Sequence, residues 1–222
     1  MTMKRDGLTC PVGKDDCTYL HRLVHLEEEI ERLKRRLDND ELTGLYTYTY
    51  FTDALTAEME RTRRTGTPTT LVMMDLDHFK RINDEHGHEV GNLVLREVGG
   101  LIKKNVRTLD IPCRYGGEEF AIILPSTSLR QGLQLGERLR CLLKEHPFMC
   151  SGALIKVTAS LGVNTYTSTS LWDLNEFVHA TDTYLYKAKR EGRDRVESPM
   201  PEALMETDVT QDERRALLGG RN

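Results

Sequence analysis

The segment Arg114-Tyr115-Gly116-Gly117-Glu118-Glu119-Phe120 contains residue types that could bind a metal ion. Two adjacent glycines permit a tight turn and let a ligand approach the backbone closely. Glu118 and Glu119 follow the turn directly, although Glu is disfavoured in strands. Successive strand residues point to opposite faces, so the two carboxylates can serve different ligands. An ordinary hairpin with solvent-facing charges remains the alternative interpretation at this point.

A further carboxylate stands where an apolar segment ends, in Met73-Met74-Asp75-Leu76-Asp77. An apolar strand that runs into Asp75 places this carboxylate at the edge of a sheet. Mg²⁺ is bound by oxygen ligands, usually one or two carboxylates together with phosphates. Lys80 adds a compact positive charge suited to phosphate oxygens. Together with the hairpin glutamates, these residues predict a site for a divalent cation and phosphate groups.

Two other polar segments could bind the rest of a nucleotide. Asn83 and Asn92 lie in a segment that leads into a helix, and their amides can hydrogen-bond to the edge of a base. Lys189 and Arg193 are four residues apart near the end of a predicted helix, so they share one face. The alternative for this pair is simple stabilisation of the helix dipole.

These side chains must be positioned by a predicted series of helices and strands. Helices are expected at Phe51–Thr65, Asn92–Val106, Leu129–His146 and Leu171–Glu191, and strands at Thr69–Asp75, Cys113–Tyr115, Phe120–Leu124, Ala153–Ser160 and Leu161–Thr165. The order indicates an α+β fold with one antiparallel-rich sheet covered by helices.

The chain divides into four predicted regions: an irregular segment (1–18), a helical stalk (19–38), the main domain (39–196) and a flexible tail (197–222). The stalk has a heptad pattern with apolar residues at Tyr19, Leu23, Leu26, Ile30, Leu33 and Leu37. Such a narrow apolar seam predicts a coiled coil that pairs two copies of the chain. An amphipathic helix packed on its own domain is the alternative.

Composition limits the class of protein. The 222 residues carry a net charge of −4, so no global basic field indicates a nucleic-acid or membrane partner. The longest apolar runs are far shorter than the roughly 20 residues of a membrane span. The first residues are polar and lack the apolar stretch of a signal peptide, and the five cysteines are an odd number. We therefore expect a cytoplasmic protein with reduced thiols.

Cys10, Cys17, His21 and His25 form a separate group with a spacing that could hold a metal. The two histidines would share a helix face, and such side chains suit Zn²⁺. The cysteine spacing is looser than in usual zinc motifs, so reduced thiols beside two stalk histidines are the alternative.

Taken together, the motifs resemble the GGDEF family of nucleotide cyclases over roughly residues 40–196. The matching blocks are Asp40-Glu41-Leu42-Thr43-Gly44-Leu45, Asp75-Leu76-Asp77-His78-Phe79-Lys80, Ile82-Asn83-Asp84, Gly87-His88, Gly116-Gly117-Glu118-Glu119-Phe120 and Ala188-Lys189-Arg190-Glu191-Gly192-Arg193. The resemblance implies a central, mostly antiparallel sheet flanked by helices, similar to adenylyl cyclase and polymerase palm domains.

The resemblance also implies a role for each site residue. The metal ligands would be Asp75, the Leu76 carbonyl, Glu118 and Glu119, holding two Mg²⁺ per site, with Mn²⁺ as an alternative ion. The triphosphate would be held by Lys80, Lys189 and Arg193, and guanine would be recognised by Asn83 and Asn92. Glu118, Glu119 and Lys80 would be the catalytic residues, with Glu118 as the base for the 3′-hydroxyl.

The implied activity is that of a diguanylate cyclase, which condenses two GTP into cyclic di-GMP and two pyrophosphates. Because each domain holds one GTP, two domains must face each other with two-fold symmetry, and the stalk would bring them together. The alternatives are a degenerate module that binds GTP or cyclic di-GMP, or a cyclase that also makes cyclic AMP-GMP. No sensor domain fits before residue 39, so we expect a regulatory protein to bind the stalk.

A product-inhibition site is implied by Arg107 and Asp110, which precede the Gly-Gly turn at the family's spacing. Arg138 would contribute from the neighbouring domain. An arginine offers a planar fork to phosphates and can stack on a purine. The alternative is that Arg107 only stabilises a helix end and Asp110 only begins a turn.

The chain departs from the family pattern at three places, one of which is a segment of three residues. The family usually has Asn-Arg-Arg where this chain has Thr47-Tyr48-Thr49, and Asn where it has Asp194. The family's Asp after Gly91 is Asn92 here. A carboxylate accepts from both guanine N1–H and the 2-amino group, whereas an amide offers one acceptor, so guanine selectivity is expected to be looser.

Overall fold

The computed structural model describes residues 22–29, 38–150 and 153–199. Residues 22–29 form the helical segment α1, in which Leu23 and Leu26 are each 48% exposed. The other seam positions, Tyr19, Ile30, Leu33 and Leu37, lie outside the described residues, as do Cys10, Cys17, His21 and nearly all of the predicted tail. The paired stalk and the zinc hypothesis therefore stay predictions.

The helices that follow are α2 (Tyr48–Thr65), α3 (Phe79–His86), α4 (His88–Asn105), α5 (Leu129–Glu145) and α6 (Leu174–Arg190). The strands are β1 (Thr69–Leu76), β2 (Ile111–Arg114), β3 (Glu119–Leu124), β4 (Phe148–Cys150), β5 (Ala153–Ile155), β6 (Ala159–Tyr166) and β7 (Val196–Glu197). Among the described residues, none of the helices combines the length and the apolar character that a bilayer span requires.

A five-stranded sheet in the order β2-β3-β1-β6-β7 forms the centre, and β4 pairs with β5 separately. All pairs in the main sheet are antiparallel except β6 with β7. Strand β1 is buried throughout, and its side chains alternate between two cores. Leu71 and Met73 pack with α2 and α6, whereas Val72 and Met74 pack with α3, α4 and α5. The predicted mostly antiparallel sheet flanked by helices is confirmed.

Local signals explain where α2, α5 and α6 begin. Ser128 and Asp173 each cap a helix through a capping box, with Gln131 and Glu176 as the reciprocal partners. Thr47 caps α2 by accepting a hydrogen bond from the Tyr50 backbone. The Thr47 departure therefore replaces one capping residue by another, since Asn and Thr are both favoured at this position.

Several sequence-based boundaries were wrong. Helix α3 was not predicted, because it is short, polar and anchored only by buried Phe79 and Ile82. Helix α4 begins at His88 and not at Asn92, since Gly87 provides no side-chain cap to mark its start. The predicted strands Ala153–Ser160 and Leu161–Thr165 are instead β5 and β6, with residues 156–158 between them.

Two short strands, β4 and β7, were also missed. They contain three and two residues, which is too short to show a period-2 pattern. Strand β7 extends the main sheet one residue past the predicted domain end at 196, through its parallel pairing with β6.

Candidate active site

The end of β1 and the start of β3 bring two predicted site residues together. The antiparallel register places Asp75 directly opposite Glu119, and Asp75 is only 8% exposed. The Leu76 N–H donates a hydrogen bond to the Glu118 carbonyl at 3.3 Å. Backbone pairing thus gathers three predicted metal-binding carboxylates, on Asp75, Glu118 and Glu119, at one edge of the sheet.

Burial raises the pKa of Asp75, Glu118 and Glu119, because desolvation disfavours the charged form. The negative charge of Asp75 raises the pKa of both glutamates further. The edge therefore holds a local surplus of negative charge that a divalent cation would relieve, and its oxygen donors are those that hard cations prefer.

Lys189 currently offsets part of this charge. Its Nζ lies 2.8 Å from the Asp75 carboxylate, and both this ion pair and the nearby Arg193 oppose the rise in the pKa of Asp75. Within residues 22–29, 38–150 and 153–199, no three acidic, histidine or cysteine side chains surround a common point as a metal cage would. The carboxylates alone therefore form only part of a coordination shell. They fit a divalent cation such as Mg²⁺, which is usually bound by one or two carboxylates together with phosphate oxygens of the substrate.

Arg114 supports the hairpin that carries the glutamates. Its guanidinium donates hydrogen bonds to the Gly116 and Gly117 carbonyls and pairs with Asp40 at 3.1 Å. Burial alone would raise the pKa of Asp40, but hydrogen bonds from Thr43 and the Arg114 charge hold it below its usual value. A Cβ at Gly116 would lie 2.5 Å from Glu119 Oε2, so a larger residue there would displace the end of this carboxylate.

The predicted base-binding residues Asn83 and Asn92 lie on α3 and α4. These helices cover the face of the sheet opposite to α2 and α6. The Asn83 side chain packs so closely against Gly91 that a Cβ there would overlap the amide oxygen. Asn92 follows Gly91 directly and is exposed, as is Lys80 in the first turn of α3. The structure thus brings Asn83 and Asn92 to one helix junction.

Arg107, Asp110 and Arg138 line one surface cleft together with Gln131 and Gln134. The Asp110 carboxylate accepts a hydrogen bond from the Arg107 backbone at 2.7 Å, and Arg138 donates to the Asn105 carbonyl at 2.8 Å. Arg138 therefore belongs to the same cleft as Arg107 within one chain, besides any role it has toward a neighbouring domain. The local turn and the helix-end contact of the alternative interpretation are also present.

Sequence reasoning missed a set of residues behind the site. Asp77 is 6% exposed and accepts hydrogen bonds from Thr158, Ser160 and the backbone of Asp194. Asp194 in turn pairs with Arg140 and Lys144. The signals available in the sequence were the Asp-x-Asp spacing at Asp75 and the unusual carboxylate at position 194.

Comparison with known families agrees with this geometry. Residues 37–195 match the family described as "Diguanylate cyclase, GGDEF domain". The diguanylate cyclase DgcP of Pseudomonas aeruginosa is 39% identical to this chain over 173 residues, which are 78% of this chain and 25% of DgcP. The chain thus spans a quarter of the length of that curated relative.

Two solved structures are similar in fold. The coiled coil and GGDEF domain of DgcB from Caulobacter crescentus, in complex with c-di-GMP, superposes with a TM-score of 0.76 at 27% identity, covering 81% of this chain and 95% of DgcB. The diguanylate cyclase SiaD from Pseudomonas aeruginosa, in complex with its activator SiaC, gives a TM-score of 0.69 at 31% identity, covering 81% of this chain and 72% of SiaD.

Proposed function

This chain belongs to the GGDEF family of diguanylate cyclases, and from that membership we propose that it condenses two GTP into cyclic di-GMP and two pyrophosphates. The observation that carries the proposal is the β1–β3 register, which sets Asp75 opposite Glu119 with Lys189 2.8 Å from Asp75. Nucleotidyl transfer needs such a combination, because carboxylates bind the metal and a lysine binds the phosphates.

Each side chain has a part in the proposed reaction. Lys80, Lys189 and Arg193 hold the triphosphate, while Asn83 and Asn92 hydrogen-bond to guanine. Glu118 takes the proton from the 3′-hydroxyl of one GTP as the general base. The freed oxygen forms a bond to the α-phosphorus of the other GTP, and the bond to pyrophosphate breaks. The same step with the roles exchanged closes the ring.

We propose that Asp75, the Leu76 carbonyl, Glu118 and Glu119 hold two Mg²⁺, or Mn²⁺ in its place. When bound, such ions stabilise the charge that develops on the attacking and leaving oxygens. Glu119 lies opposite Asp75, so the carboxylates of this edge would share the ions. Lys189 would leave Asp75 and turn to the triphosphate when metal and substrate bind.

The proposed active form is a homodimer, because one domain cannot present two nucleotides in opposed orientation. The stalk at 19–38 would join two catalytic domains at 39–196, while 1–18 and 197–222 would remain outside the catalytic unit. The similar DgcB structure includes a coiled coil. The activator bound to SiaD supports the proposal that a regulatory protein binds this chain.

Product inhibition is proposed at Arg107, Asp110 and Arg138, which line one cleft. Arg107→Ala should weaken cyclic di-GMP binding and raise the final product yield, while initial rates stay similar. Titration calorimetry measures the binding, and Lys104→Ala is the matched control, because Lys104 is an exposed cation on the same last turn of α4 that lines neither cleft formed by Arg107 and Asp110. Equally tight product binding to the wild type and to Arg107→Ala would exclude the site.

The test of the function is to incubate the pure full chain with GTP and Mg²⁺ and identify products by mass spectrometry. Cyclic di-GMP is expected, and its absence at saturating GTP would leave the alternative of a binding module. Asn92, with a single amide acceptor, favours a second candidate, a cyclase of relaxed selectivity. Adding ATP to the same assay decides this point, since such an enzyme would also form cyclic AMP-GMP.

A further inference from the structure

The turn that follows α6 has an unusual backbone. Gly192, Arg193 and Asp194 are three consecutive residues with positive φ, at 112°, 62° and 45°. Side-chain-bearing residues rarely adopt this region, and each costs free energy that other contacts must offset. The turn therefore requires tertiary contacts to hold its shape.

A buried carboxylate supplies one of these contacts. Asp77 Oδ2 accepts from the Asp194 backbone N–H at 3.0 Å and from Thr158 Oγ1 at 2.7 Å, while Oδ1 accepts from Ser160 Oγ at 2.7 Å. Both oxygens are thus occupied by donors of the protein, which offsets the burial of the charge. Asp77 therefore acts within the fold and does not face the substrate side of the site.

The side chain of Asp194 supplies another contact, to helix α5. Its Oδ1 lies 2.6 Å from the Arg140 guanidinium and its Oδ2 lies 2.7 Å from Lys144 Nζ. Burial would raise the pKa of Asp194, but these two cations hold it below its usual value. The turn is thereby fixed to the end of β1 through its backbone and to α5 through this side chain.

Arg193 is the middle residue of this turn, and its side chain extends from it. It is exposed, and its backbone N–H donates a hydrogen bond to the Ala188 carbonyl at 3.0 Å, one residue before Lys189, whose Nζ lies 2.8 Å from the Asp75 carboxylate. Asp75 lies two residues before Asp77 on the same chain segment. The contacts of Asp77 and Asp194 therefore fix the backbone from which the Arg193 side chain extends near the carboxylate edge.

We propose that Asp77 and Asp194 are positioning residues that hold Arg193 for the triphosphate of the substrate. This inference rests on the proposed function, in which Arg193 binds phosphate. It predicts that loss of the Asp194 carboxylate acts only through Arg193 and raises the KM for GTP more than it lowers kcat.

The first arm of the test needs no nucleotide. Amide hydrogen exchange at residues 193–195 is measured by NMR in the wild type, Asp194→Ala and Glu137→Ala. Glu137 is the matched control, because its carboxylate is the other partner of Arg140, at 2.8 Å, and lies outside the turn. Faster exchange in Asp194→Ala alone is expected. Unchanged exchange in that variant would overturn the positioning role.

Asp77 is buried, so Asp77→Ala could fail to fold, and Asp77→Asn is the variant that keeps the proposal testable. An amide offers one acceptor oxygen, so the Asp194 N–H should exchange faster while amides in the middle of β1 stay protected. If the Asp194 N–H exchanges at the wild-type rate in a folded Asp77→Asn protein, Asp77 does not hold the turn and the positioning role is contradicted.

The second arm measures binding of a GTP analogue with a methylene bridge between its α and β phosphorus atoms, by calorimetry with Mg²⁺. Asp194→Ala should weaken binding about five- to tenfold, as expected when a charge-assisted contact is misplaced, and Glu137→Ala should stay within about twofold. In an Arg193→Ala background, Asp194→Ala should add nothing. Fully additive losses would show a structural effect and overturn the proposal.

The two arms separate the two claims. If the wild-type protein binds no GTP analogue, the proposed function fails, and hydrogen exchange still decides whether Asp77 and Asp194 hold the turn. If the analogue binds and turnover occurs but the double variant shows full additivity, the function stands and the positioning role fails.

Discussion

The carboxylate edge and the α3–α4 junction are prepared for their ligands to different degrees. At the edge, the backbone register of β1 and β3 fixes Asp75 opposite Glu119, and burial raises the pKa of both. At the junction, Asn92 and Lys80 are exposed, and only Asn83 is held, by its close packing against Gly91.

This difference shows which part of the site the fold positions before any ligand binds. Sheet pairing can hold like charges together because the hydrogen bonds of the ladder resist their repulsion. Exposed side chains on a helix surface have no such restraint and lose conformational freedom when they bind. We therefore expect changes at the edge to abolish chemistry and changes at the junction to alter nucleotide affinity.

The largest effect is expected at the edge. Glu119→Gln should lower the turnover of GTP at least about a hundredfold, because a metal ligand is lost, and Asp75→Asn should do the same. Circular dichroism should show an unchanged fold. Glu60→Gln on α2 is the control, since that carboxylate is 57% exposed and forms only long ion pairs. Near-normal turnover in both edge variants would refute the assignment of the site.

At the junction, Gly91→Ala should weaken GTP binding about tenfold, because the new Cβ would displace the Asn83 amide and crowd Phe79. Gly100→Ala is the matched control on the same helix, where a Cβ meets nothing within 4 Å. Both changes favour the helical state. Calorimetry with the GTP analogue measures the affinity, and equal affinities of the two variants would show that Asn83 does not need this space.

A change at Lys189 links the two regions and should have opposite effects on two ligands. Lys189→Met removes the cation 2.8 Å from Asp75, so nucleotide-free protein should bind Mn²⁺ about threefold more tightly, and GTP more weakly. Mn²⁺ binding is followed by electron paramagnetic resonance, with Lys187→Met as the control on the same helix. Weaker Mn²⁺ binding in Lys189→Met would mean that the lysine helps the metal and does not compete with it.

The smallest expected effect concerns stability. The folded protein binds a proton at Glu119 more tightly than the unfolded chain, so stability falls as the pH rises from 4.5 through the raised pKa. Glu119→Gln removes this loss. With metal chelated at pH 7, the variant should melt about 1–2 °C higher than the wild type, given about 2–4 °C per kcal/mol and partial screening.

Calorimetric melting of Glu119→Gln and Glu60→Gln at several pH values provides the comparison. The difference from the wild type should disappear well below pH 4.5, where the wild-type carboxyl is protonated in both states. A variant that is less stable than the wild type at pH 7 would show that the Glu119 carboxylate is not strained by its neighbours.

The sequence predicted the main strands and the Gly-Gly turn because these depend on local patterns. The buried run at β1 and the Gly-Gly turn before Glu118 are both visible in a few residues. The pairing of Asp75 with Glu119 was not predictable from either segment alone, since register is a tertiary property.

The contacts of Asp77 and Asp194 behind the site were missed for a related reason. Asp77 bonds to Thr158 and Asp194, which are 81 and 117 residues away along the chain. The residue type alone does not indicate whether an aspartate is buried, and only the folded structure shows that Asp77 is. The missed α3 reflects the weak pattern of a short polar helix with two buried residues.

The Arg114–Asp40 pair has a mechanical consequence. The strip of backbone around Tyr46 is hydrogen-bonded to Pro112 and Arg114 on the outer edge of β2, and Arg114 also grips the tip carbonyls of the hairpin. A displacement of the backbone at Asp40 would therefore reach the glutamate-bearing turn through Arg114, which contacts both Asp40 and the Gly117 carbonyl. Residues 40–46 would thus transmit movement to the hairpin while pivoting about their attachment to the outer edge of β2.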